Sequence, residues 1–171
     1  MVMVTCREIA HQDQQENSDA ERHAVVARRE KRAAAISFGV TEDYISSVVE
    51  VFYEAVRKDD VLGPIFAKRI RDWPAHLDRM KAFWRSVLHN SGEFNGNPML
   101  KHILIPDLGT AHFERWLQLF YHTLRTLAPS EEAAKLIGDR ARVIADSLLI
   151  GIESHRTGLR GSRTSSALPH V

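Results

Sequence analysis

The stretch Val51-Phe52-Tyr53-Glu54-Ala55-Val56-Arg57-Lys58-Asp59-Asp60-Val61-Leu62-Gly63-Pro64-Ile65-Phe66 holds the end of a strongly patterned helix and the corner that follows it. Upstream, Tyr44, Ile45, Val48 and Val49 lead into Phe52, Tyr53 and Val56. These steps of three and four turn one helix face toward a core. Thr41 or Asp43 can cap the start, and Arg57-Lys58 suits the negative end of the helix dipole. Leu62 to Phe66 then reads as a tight apolar corner, punctuated by Gly63 and Pro64.

The same period continues downstream. Asp72 can cap a second helix, with Pro74 tolerated in its first turn and a stripe of Trp73, Leu77, Met80, Phe83, Trp84, Val87 and Leu88. His76 falls on that stripe, one turn before Met80. After Asn90-Ser91-Gly92 the chain reads as irregular up to Pro106. Asp107 opens a third long helix whose apolar face runs from Leu108 and Phe113 through Trp116, Leu117, Phe120 and Leu124 to Leu127. Pro129-Ser130-Glu131-Glu132 stops it and starts a fourth, with Leu136, Ile137, Ala141, Ile144, Ala145, Leu148, Leu149 and Ile152 facing inward. No strand-like alternation of useful length and no internal repeat occurs, so the fold class is all-α.

Both ends read as appendages without fixed structure. Residues 1–35 are polar and then charged, and lack large apolar side chains able to offset ordering entropy, although Ala20 to Ala35 contains good helix formers. Residues 156–171 carry Gly158, Gly161, several serines and Pro169. The folded domain is therefore expected over residues 36–155.

Composition excludes several classes. The formal net charge of +1 gives no field toward nucleic acid or an anionic membrane, and the three arginines of the C-terminal stretch are too few for nucleic-acid binding. Cys6 is the only cysteine, so neither a disulfide framework nor a multi-cysteine zinc site can form, and a reducing cytoplasmic setting is the default. No apolar run reaches spanning or signal-peptide length. Nucleotide-binding glycine motifs, H-E-x-x-H and a nucleophile elbow are absent. His11, His23, His89, His112, His122, His155 and His170 show no ligand pairing with carboxylates, and His112 and His122 are expected at the surface.

His102 is the outlier. It sits among Met99, Leu100, Ile103, Leu104 and Ile105, fenced by Pro98 and Pro106, where a core would prefer Leu. A buried imidazole without a partner costs about 1–3 kcal/mol. Its partner is therefore a backbone carbonyl or a metal, and the residue alone leaves both open. Tyr53, His76 and Trp116 add three polar-tipped aromatics on the buried faces of three helices. One ligand centre would use all four, with His102 on one side and the donors Tyr53 and Trp116 on the other.

These residues carry a resemblance. The run from Val51 to Phe66 resembles the first helix and corner of the truncated haemoglobins. Trp73-Pro74-Ala75-His76, Phe83-Trp84, Asn95-Gly96-Asn97-Pro98 through Lys101-His102, and His112-Phe113-Glu114-Arg115-Trp116-Leu117 resemble that family's third group. The likeness extends from about Thr41 to Ile152, and the glycine pairs of the other two groups are missing. It implies a shortened globin fold, a two-over-two helical sandwich enclosing one haem b. By position His102 matches the proximal histidine that binds iron, Tyr53 and Trp116 the distal donors, and His76 the histidine facing the distal pocket. Phe66, Met80, Phe83 and Trp84 would line the walls, and Lys101 and Arg79 are nearby basic candidates for the propionates.

The implied function is binding of oxygen, nitric oxide and carbon monoxide at one iron, with high oxygen affinity and slow release unsuited to bulk oxygen transport. The same donors suit nitric oxide dioxygenation or peroxidase-like chemistry, for which an external electron donor or reductase would be required. A gas sensor signalling through its tails and a haem-free helical interaction domain are the readings from other classes.

Overall fold

A computed structural model describes residues 6–158 of the chain. It contains seven helices among the described residues: α1 (Cys6–Ser37), α2 (Glu42–Lys58), α3 (Gly63–Ala67), α4 (Trp73–His89), α5 (Pro98–Ile103), α6 (Thr110–Leu127) and α7 (Glu131–Thr157). Helix α2 packs on α4, α6 packs on α7, and α2 joins the two pairs by packing on α6. The result is a two-over-two sandwich of four long helices. The short α3 leans on α2, and α5 leans on α7.

Local chemistry sets the boundaries. Of the two candidate caps for α2 it is Thr41 that acts, its hydroxyl accepting from Tyr44 N–H at 3.1 Å. Asp72 caps α4 by accepting from Ala75 N–H at 3.0 Å, and Ser130 caps α7 through Ala133 N–H at 3.1 Å. Ser130 also donates to the Phe38 carbonyl at 2.9 Å, fastening the α1–α2 corner to the α6–α7 connection. At that corner Gly39 has φ of +88°, and a Cβ there would run into the Pro129 ring.

Helix α6 starts later than expected. Asp107 lies outside it with φ of +57°, and Gly109 is the capping residue. His112 takes the missing capping role, its Nδ1 accepting from Gly109 N–H at 3.2 Å, so this half-buried histidine is a structural acceptor rather than a free surface group. His122 is exposed as expected.

The N-terminal segment also differs from the expectation of an unstructured appendage over residues 1–35. From Cys6 onward it is helical in α1. That helix contains no Gly or Pro and ends in an Ala-rich stretch, so local propensity favours it throughout. Residues 21–34 are exposed, and Ala35 enters the core. Lys31 donates to the Val87 carbonyl at 3.2 Å and Arg32 pairs with Glu42 at 2.7 Å, which docks the last turns of α1 against the body. At the other end α7 continues to Thr157, two residues beyond the expected domain end, and the C-terminal stretch from residue 159 lies outside the described residues.

Candidate functional site

His102 lies not on irregular chain but on α5, a six-residue helix too short for periodicity to reveal. Asn97 caps it by accepting from Leu100 N–H at 2.9 Å, and Pro98 occupies its first turn, where the missing N–H costs nothing. Met99 seats this helix on α7. It lies directly over Gly151, where any Cβ would collide with its thioether.

The backbone partner of His102 is the Pro98 carbonyl, 2.7 Å from Nδ1. A carbonyl only accepts, so Nδ1 carries the proton and Nε2 keeps the ring's lone pair. Burial pushes the imidazole below its ordinary pKa, opposed in part by the bond to Pro98. The ring lies near-parallel to Phe113, with centroids 6.4 Å apart. Arg156, near the end of α7, donates to the Leu108 and Ile105 carbonyls at 2.7 and 3.2 Å and holds the turn that follows His102.

On α2, Tyr53 is 6% exposed and meets His76 edge-on at 5.0 Å and 90°. Phe66 and Trp73 close on Tyr53 at 5.8 and 6.3 Å. Burial raises the Tyr53 phenol well above its ordinary pKa, so it stays an O–H donor. His76 Nε2 is buried with no hydrogen-bond partner among the described residues. Burial and then the Arg79 charge lower this imidazole to about pKa 4, so it is neutral at physiological pH.

Trp116 reaches the group through rings rather than polar contacts. It stacks on Phe120 at 5.0 Å and 11°, and Phe120 stacks on Trp84 at 5.0 Å and 13°. Phe52 presents edges to Trp116 and Tyr53 at 5.3 and 5.0 Å and so couples the two expected donors. The three-ring stack joins α4 to α6 and fixes the plane of the Trp116 indole.

The apolar stripe of α4 is only partly covered by the chain. Trp84 and Leu88 are buried, whereas Leu77, Met80, Phe83 and Val87 are partly buried against the core, as are Phe66 on α3, Ile103 on α5 and Trp116 on α6. These are large apolar side chains that the chain itself does not fully enclose. Trp84 differs from the other expected wall residues in being enclosed by the ring stack.

Sequence reasoning did not single out Asp59 or His89. The Asp59 side chain is 3% exposed; one oxygen accepts from Val61 and Leu62 N–H, and the other takes two donors of Arg115 at 2.7 Å. Burial pushes this carboxyl up, but the bonds from Leu62, Arg115 and Val61 outweigh it and hold the pKa below the usual range. His89 donates from Nε2 to the Val40 carbonyl at 2.7 Å. Among the described residues no cluster of three or more His, Cys, Asp or Glu could hold a metal ion, and no helix is long and apolar enough to cross a membrane.

Two crossed helix pairs, with a histidine on a short helix beside them, define a shortened globin. Group 3 truncated hemoglobin ctb of Campylobacter jejuni subsp. jejuni serotype O:2 is 37% identical over 110 residues, covering 62% of this chain and 86% of the relative. The crystal structure of group III truncated hemoglobin from Campylobacter jejuni superposes with a TM-score of 0.63 at 33% identity, over 72% of this chain and 95% of that one. No protein-family profile matches the chain. The chain belongs to the group III truncated haemoglobins.

Proposed function

We propose that this protein binds haem b through His102 Nε2 and, with it, oxygen, nitric oxide or carbon monoxide, with high oxygen affinity. The observation that carries the reading is the bond from His102 Nδ1 to the Pro98 carbonyl. It fixes the tautomer whose free lone pair a metal needs, and such a bond to the second nitrogen is the usual companion of a metal-ligating histidine. The partly buried apolar side chains Phe66, Met80 and Phe83 fit the porphyrin walls, with Trp84 packed edge-on against Phe83. Lys101 and Arg79, both exposed, suit the propionates.

Bound haem would supply an iron that accepts a diatomic ligand. Tyr53, kept protonated by burial, offers an O–H, and Trp116 an indole N–H whose plane the Phe120 stack fixes. His76, neutral and with no partner at Nε2 among the described residues, adds a third polar atom to the Tyr53 side. Hydrogen bonds to a charged or strongly polarised acceptor are about twice as strong as neutral ones, so the donors slow ligand release. Turnover as a redox enzyme would need an external electron donor.

Haem reconstitution followed by absorbance spectroscopy tests the reading. A Soret band in the parent chain, lost in His102→Ala with helicity retained, is the expected result. A chain that takes up no haem refutes it.

A further inference from the structure

A cleft of about 520 Å³ opens between α2 and α4. Its inner wall is Tyr53, Trp73 and Leu77, and its rim includes Glu50, Glu54 and Arg57. The rim carboxylates are engaged: Lys58 pairs with Glu54 and Lys81 with Glu50, each at 2.6 Å. Arg57 instead lies over the Trp73 ring, 4.9 Å from its centroid. His76 is not part of the cleft wall, although its ring meets both Tyr53 at 5.0 Å and Trp73 at 5.7 Å. The cleft thus reaches one face of the Tyr53–His76 pair, with Trp73 packed against both rings.

Trp73 is suited to move. It is the first residue of α4 and is half-buried, whereas Trp84 is 4% exposed. Swinging it outward breaks edge contacts with Tyr53 and His76 and one cation–π contact, and uncovers Tyr53 at the edge of the core. A small, nearly apolar gas needs no charged guide along such a wall. We propose that this cleft is the route by which a diatomic ligand reaches Tyr53 and His76, with Trp73 as its shutter and Arg57 the positioning residue that holds the shutter closed. The proposal rests on the haem-binding reading above.

Flash photolysis of the carbon monoxide complex of the haem-loaded full chain tests it. Trp73→Ala raises the bimolecular association rate about tenfold with little change in dissociation, while Trp73→Phe stays near the parent rate. Arg57→Gln raises it about two- to fivefold, the weight of an exposed cation–π contact. Carbethoxylation of His76 by diethyl pyrocarbonate, mapped by peptide mass spectrometry, increases in Trp73→Ala and is restored to the parent level in Trp73→Phe. Unchanged association and labelling in a Trp73→Ala protein that retains its Soret band overturn the proposal. If Trp73→Ala does not fold, an unchanged association rate in Arg57→Gln overturns it. A parent chain without a Soret band refutes haem binding instead; unchanged His76 labelling of that haem-free Trp73→Ala chain would then overturn the hold of Trp73 on His76.

Discussion

His76 and Tyr53 show what burial does to single polar groups. Burial and the Arg79 charge depress the His76 pKa to about 4. A two-dimensional NMR titration should therefore find its imidazole neutral down to about that pH. The unfolded chain binds a proton here below its ordinary value of about 6.5, while the folded chain does not until about pH 4. His76 thus lowers stability progressively as pH falls across that window, and its contribution is flat above it. Thermal melts of His76→Leu should lose part of the parent's decline between those values; an identical decline would contradict the assignment. For the donors, Tyr53→Phe and Trp116→Phe should each speed oxygen dissociation by roughly tenfold or more, since a hydrogen bond to a charged group contributes about 1.5–3 kcal/mol. Stopped-flow displacement measures this, and rapid parent release unchanged in both variants would remove them from the ligand's surroundings.

Among the elements, α5 depends on features that no periodic pattern reveals. It has six residues, one side-chain cap at Asn97, and a seat on α7 made by Met99 over Gly151. Gly151→Val should push Met99 out of that seat, move α5, and loosen haem. The expected readout is faster haem transfer to apomyoglobin, with far-ultraviolet circular dichroism little changed; an unchanged transfer rate would show that α5 is held without Met99. The long helices were legible because each repeats its stripe over several turns, as Ile45, Val48, Val49, Phe52 and Val56 do on α2. Their starts were legible where a short polar side chain caps them, as at Asp72 and Ser130, but not at Gly109, where capping comes from His112 within the helix.

Across the whole molecule, the contacts described for α1 lie at its C-terminal end, through Lys31, Arg32 and Ala35. Deletion through Gly39 should lower the thermal midpoint and haem content, because it removes the Arg32–Glu42 pair and exposes core around Val40, which is 0% exposed. Differential scanning calorimetry of this truncation against the full chain measures the effect, and equal midpoints would mean that α1 contributes nothing to the fold. The extension was read from the sequence as unstructured because its large apolar side chains are few. Its helix instead reflects local propensity uninterrupted by Gly or Pro, together with docking of its last turns through Lys31, Arg32 and Ala35.

The amino-acid sequence by itself determined the helical class, the four long elements and their inward faces, since hydrophobic period and caps are local properties. It also brought Tyr53, His76, His102 and Trp116 forward, because polar-tipped rings on apolar faces stand out in one dimension. Tertiary structure decided how those rings meet across helices. The Pro98 bond to His102 and the Phe120 stack on Trp116 are local, each four residues apart on one helix. Packing of α2 on α4 and α6 sets the Tyr53 edge against His76 and the Phe52 edge against Trp116. It likewise produced the Asp59–Arg115 pair, whose partners are 56 residues apart. The physical reason is that such contacts depend on distances closed only when helices pack, and residue spacing along the chain carries no record of them.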